Sequence, residues 1–189
     1  MFKSQLLKLA SSALLTSLTL LTLGATATRS QAESNDVTFF CGQMFDRAAN
    51  ENIPATTVWV PERKAHVHLI AWKSDYFYKW NRQERCDTVS QKFRDFYKQG
   101  RLNYLTYGEV NNSQVICAVA NQGERCDSEN MLFTVKPQDY PNIVLERLMG
   151  ILVSNASPPL YQSTGKQVYV SVSDFFRQAP IAEGASSSR

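Results

Sequence analysis

The 189-residue sequence predicts an α+β fold, a single domain with a mostly antiparallel sheet of about six strands, two main helices and two disulfides. Three observations carry that prediction. Short runs rich in β-branched and aromatic residues recur along the chain, separated by Asn, Gly and Pro. Two other segments carry apolar residues at spacings of three and four, the period of one helix face. The strand runs fall in groups with helices set between them, which points to antiparallel pairing rather than to βαβ units.

Residues 1–32 stand apart from that domain. Lys3 and Lys8 precede an apolar run from Leu9 to Leu23, and Ala25-Thr26-Ala27 and Ser30-Gln31-Ala32 follow as small-residue cleavage motifs. This is the pattern of a secretory signal peptide, with an apolar stretch short for a membrane span; the competing reading is an uncleaved anchor. The domain is expected over 33–178, and the polar tail 179–189 is expected to be disordered. Lys3, Lys8 and Arg29 would leave with the signal, so the formal charge of +3 falls to about zero in the mature chain. The basic balance of the whole chain is therefore no argument for nucleic-acid binding.

Val37 to Cys41 reads as the first strand. Ala55 to Val60 and His66 to Trp72 read as a hairpin joined by a five-residue charged loop. Asn81 is a good N-cap, and Glu84 three residues later completes a capping box. Cys86, Val89, Phe93, Phe96 and Tyr97 then share one helical face, and Gly100 supplies the left-handed stop. Leu102 to Tyr107, Gln114 to Ala120 and Met131 to Val135 read as strands, with turns at Asn111-Asn112 and Asn121-Gln122-Gly123. Pro141 opens a second helix with the stripe Val144, Leu145, Leu148, Ile151 and Leu152, stopped by Pro158-Pro159. A short strand, Gln167 to Val172, precedes a turn of helix at Ser173 to Phe176.

The tetrapeptide Glu-Arg-Cys-Asp occurs at 84–87 and again at 124–127. One copy opens a helix and the other precedes a strand, so they are not an internal repeat, which would keep its hydrophobic period. Nor do the cysteines show the close pairs of a zinc site. Four cysteines beyond an export signal read as two disulfides. If 120–123 form a hairpin loop, Cys117 and Cys126 face each other within disulfide reach. Cys41 and Cys86 then remain as the second pair, joining the first strand to the helix start.

Phe40-Cys41, Ile70-Ala71-Trp72-Lys73-Ser74, the run from Arg85 to Phe93, Leu102 to Thr106, Val115-Ile116-Cys117 and Leu132 to Val135 occur in an order that closely resembles the circadian oscillating protein family of cyanobacteria. The resemblance runs from about Thr38 to the Pro159-Leu160 region and includes all four cysteines. It implies an exported or membrane-peripheral protein whose abundance cycles daily, and it supplies no catalytic residues.

The residues offer two candidate surfaces for function. His66 and His68 share a strand face and would bind a metal only with a third ligand such as Glu62 or Asp75. The plainer reading is an outward-facing polar pair, and no cofactor is expected. The segment Glu62 to Arg101 holds ten basic and five acidic residues, whereas the rest of the mature chain holds seven and twelve. Within it, Lys73, Tyr76, Tyr78, Lys79, Trp80 and Arg82 form a basic and aromatic candidate surface for an anionic membrane or an envelope protein. The plainer reading there is core aromatics and solvated cations. No nucleophile elbow, phosphate loop or C-x-x-C motif is present. The expectation is a non-enzymatic exported domain in the periplasm, the thylakoid lumen or the membrane periphery, with a metal-binding protein or metal-dependent enzyme using His66 and His68 as the alternative. A purely structural envelope protein is a third reading, and the sequence sets no oligomeric state.

Overall fold

The computed structural model describes residues 35–77, 79–148 and 167–182. The chain divides into two units, Met1–Ala32 and Glu33–Arg189, and the described residues all belong to the second. The expected stripe residues Ile151 and Leu152, and the Pro158-Pro159 stop, lie outside the described residues.

The N-terminal half builds a three-stranded antiparallel sheet in the order β1-β2-β3, with β1 at Thr38–Asp46, β2 at Glu51–Val60 and β3 at Ala65–Ala71. All three strands were expected, but β1 and β2 extend further toward their shared loop. Residues 55–60 of the central strand β2 are buried on both faces, which is why that segment alternates only weakly in sequence. The β2–β3 loop contains a 3₁₀ turn at Pro61–Arg63, closed by Lys64 in the left-handed region at φ 47°. Four residues, not the expected five, separate the paired Val60 and Ala65.

Helix α1 spans Arg82–Lys98 and is set by local signals at both ends. The Asn81 side chain accepts from the Glu84 amide at 2.9 Å, and the Glu84 carboxylate accepts from the Asn81 amide at 3.2 Å, the reciprocal capping box. At the other end Gly100 sits at φ 68°; its amide donates to Tyr97 O and the Arg101 amide to Phe96 O, a Schellman closure. Cys86, Val89, Phe93 and Phe96 are buried as the spacing predicts. Tyr97, expected on the same face, is 39% exposed at its edge.

A second antiparallel sheet runs β6-β5-β4-β7, from β4 (Tyr104–Val110), β5 (Ser113–Val119), β6 (Met131–Thr134) and β7 (Val170–Ser171). The expected sheet of about six strands is thus seven strands in two sheets among the described residues. Asn111 and Asn112 both take positive φ, 49° and 60°, giving the tight two-residue turn between β4 and β5. Helix α2 covers Pro141–Leu148 and packs on β4 and β5, with Leu145 fully buried. The expected last strand shrinks to β7 because α3, Val172–Gln178, starts earlier and is longer than a single turn.

Both disulfides form as paired from sequence, Cys41 with Cys86 and Cys117 with Cys126, with Cα separations of 5.4 and 5.6 Å. The reason for the second differs from the hairpin argument. Cys117 faces Met131 across β5–β6, so the connection is much longer than 120–123. Cys126 lies within that connection and folds it back over β4. A Cβ on Gly108 of β4 would stand 2.8 Å from Cys126 Cβ, so glycine is what lets the bridge lie so close to the strand.

One core unites the two sheets. Phe39, Val58 and Val67 meet Leu105, Ile116 and Ala118 through Val89, Phe93 and Phe96 of α1 and Phe175 and Phe176 of α3. The domain boundary expected at residue 178 moves outward. Ala179 and Ala182 are buried, and the Ala182 amide donates to His66 O at 2.8 Å. Arg63 ties the same segment to the hairpin loop by donating to Phe176 O and Ala179 O at 3.0 and 2.6 Å, carbonyls at the end of α3.

Candidate functional site: an aromatic cleft beneath the 72–80 loop

The chain leaves β3 at Trp72, which is anchored twice. Its amide donates to Pro54 O at 2.9 Å, and its indole N–H donates to Thr56 Oγ1 at 2.9 Å. Ser90 of α1 donates to the same Thr56 oxygen at 3.0 Å, so this buried hydroxyl ties β2, the loop and α1 together. The loop then passes over the first turns of α1. Asp75 accepts from Arg82 through both its oxygens, one of them 2.8 Å from Nε, and Glu51 adds a contact at 3.2 Å. These contacts hold the Asp75 carboxyl below its usual range and raise the Arg82 pKa further. The Trp80 amide closes the loop by donating to Phe77 O at 2.8 Å.

Between this loop, α1 and β6 lies an open cleft of about 640 Å³. Trp72, Phe77, Val89, Leu132 and Phe133 supply apolar wall, and Arg85 and Lys92 bring two cations into it. Arg85 is only 6% exposed. Its guanidinium carbon lies 5.3 Å from the Trp72 ring centre and 5.8 Å from that of Phe77, and one terminal nitrogen donates to Ser74 O. Its Nε has no hydrogen-bond partner among the described residues. Lys92 Nζ donates to Met131 O at 3.0 Å. Burial lowers the pKa of both cations. A larger depression of about 980 Å³ lies elsewhere, with Glu62, Gln122 and Arg177 on its walls, and it contains none of the expected surface residues.

The expected surface residues divide. Tyr76, Lys79 and Trp80 form the rim of the cleft, with Tyr76 48% and Trp80 52% exposed. Lys73 turns away to an ion pair with Asp46, and Arg82 is engaged by Asp75 and Glu51. Tyr78 lies outside the described residues. Sequence reasoning missed Arg85 and Lys92 as wall residues. Their signal was present, since 85, 89 and 92 lie at helical spacing beside the Cys86 stripe, but a basic helix residue reads as solvated until its cover is known.

His66 and His68 are not brought to a metal centre. His68 Nδ1 is 2.9 Å from Thr57 Oγ1, and the His66 ring packs against Trp59 and Phe40 at 4.9 and 5.5 Å. Asp75, one proposed third ligand, is bridged to Arg82. Among the described residues no group of three His, Cys, Asp or Glu is placed to hold a metal.

Fold and site together define a disulfide-stapled, antiparallel α+β domain with a cation-bearing aromatic cleft. The chain belongs to the circadian oscillating protein COP23 family, whose model matches residues 38–177. The match reaches beyond the Pro159-Leu160 limit expected from sequence and takes in α3. Neither the curated proteins nor the solved structures compared with it contain a match.

Proposed function

We propose that this is a non-enzymatic, exported domain that docks on an anionic membrane surface through the 72–80 loop. The observation that carries the reading is the exposure of Trp80 and Tyr76 beside Lys79 on one rim. Amphipathic rings and a lysine on one projecting loop suit the interface between headgroups and acyl chains. Residues 72–92 keep a positive balance in sequence, with Lys73, Lys79, Arg82, Arg85 and Lys92 against Asp75, Glu84 and Asp87. Two disulfides, and no membrane-crossing helix among the described residues, are compatible with a protein released from its N-terminal signal into an oxidising compartment. That compartment is the periplasm, the thylakoid lumen or the membrane periphery, and the family's description as a circadian oscillating protein supports reading a daily rhythm into this protein.

Co-sedimentation of the oxidised protein, freed of residues 1–32, with anionic and neutral vesicles across a salt series tests the reading. Binding to anionic vesicles alone is expected, falling as salt screens the lysines and weakened by Lys79→Glu and by Trp80→Ala. Absence of binding to either vesicle would retire the membrane in favour of an envelope protein partner.

A further inference from the structure

We infer that the cleft beneath the 72–80 loop is a binding site for an amphipathic monoanion of the fatty-acid class, its carboxylate at Arg85 and its chain along Phe77, Leu132 and Phe133.

The inference starts from a cation in an unusual setting. Arg85 is more than nine-tenths buried and lines a cleft, yet it makes no ion pair among the described residues. Burying a guanidinium without an anion is costly, and the rings of Trp72 and Phe77 offset only part of that cost. Asp75, the carboxylate whose charge reaches Arg85, is already bridged to Arg82. Among the described residues no Asp or Glu lines the cleft, whereas Lys92 adds a second positive charge to the same wall. The site thus has charge of one sign and otherwise mostly apolar walls.

That combination selects the ligand's chemistry. A carboxylate accepts charge-assisted hydrogen bonds from guanidinium, and these strengthen where aromatic walls exclude water. The remaining wall rewards burial of hydrocarbon. A volume of about 640 Å³ falls within the range of small-molecule sites. A small inorganic anion would leave the apolar wall wet, and a neutral lipid would leave Arg85 unpaired. This site is the inner wall of the loop whose outer rim was assigned to the membrane, and the two readings stand or fall separately.

The test is calorimetric titration of the full, oxidised chain with decanoate, 1-decanol and acetate below their aggregation concentrations, without vesicles. Decanoate is expected to bind about tenfold or more tightly than 1-decanol, a difference that Arg85→Met abolishes, and acetate is expected to give no measurable binding. Equal affinity for decanoate and decanol, or acetate binding as well as decanoate, would overturn the site. So would a decanoate preference unchanged in a folded Arg85→Met protein. Because Arg85 also holds Ser74, circular dichroism accompanies the titration. If that variant fails to fold, Lys92→Met takes its place, with a several-fold weakening of decanoate expected and unchanged affinity overturning the proposal. Decanoate binding without vesicle association would leave this site standing and remove only the membrane reading.

Discussion

Two aromatic groups flank α1 and end in opposite states. On one flank Phe39 stacks on Phe93 at 5.5 Å and meets Phe176 at 6.0 Å, and only about 10 Å³ of space is left among them and their neighbours. On the other, Trp72, Phe77 and Phe133 surround a cleft of about 640 Å³ and a buried arginine. The residue types are alike, so hydrophobicity does not account for the difference. The covering elements do. The first group is sealed by α3, brought back from the far end of the chain and pinned by Arg63. The second, among the described residues, is covered by its own adjacent loop, braced by the Asp75–Arg82 pair. A group sealed by a distant element becomes core, and one roofed by a short loop keeps an opening.

The largest expected effect tests that contrast directly. Phe93→Ala should lower unfolding free energy by about 3–5 kcal/mol, the range for emptying a packed aromatic site. Phe133→Ala, on the cleft wall, should cost less than half as much in the same denaturant titration. Equal losses would mean that the two flanks are packed alike.

A smaller effect belongs to the β2–β3 side alone. Burial, with a contribution from His66, holds the His68 pKa below its ordinary 6.5. The unfolded chain therefore takes up this proton first, so stability declines as pH falls below 6.5 until the folded protein also titrates. The denaturation midpoint should drop over that window, and His68→Gln should flatten the slope. An unchanged slope would place the acid-sensitive group elsewhere.

The smallest effect sharpens the comparison from the open side. Trp80→Ala should change unfolding free energy by no more than about 0.5 kcal/mol, because a half-exposed rim ring gives up little on removal. A loss comparable with that of Phe93→Ala would show that the rim is part of the core after all.

Legibility followed the same division. The limits of α1 were readable from Asn81, Glu84 and Gly100, and the β4–β5 turn from Asn111-Asn112. Each is a contact between residues a few positions apart. The pairing of Cys117 with Cys126 was legible too, although the hairpin offered as its reason was not the one that forms. The rim of the site was legible as a basic and aromatic stretch. Its wall was not, because Arg85 and Lys92 become cleft residues only when the loop and β6 are laid against α1.

The sequence by itself therefore determined where α1 begins and ends, where the β4–β5 turn falls, which cysteines join, and that the strands pair antiparallel. Caps, turns and periodicity act over one or two helical turns, and their energies depend on neighbours along the chain. Only the tertiary structure decided that the strands divide into two sheets, that residues 179–182 belong to the domain, and that one aromatic group closes while the other stays open around a cation. Those outcomes depend on which distant segment arrives to exclude water from a given side chain, and no local pattern specifies that.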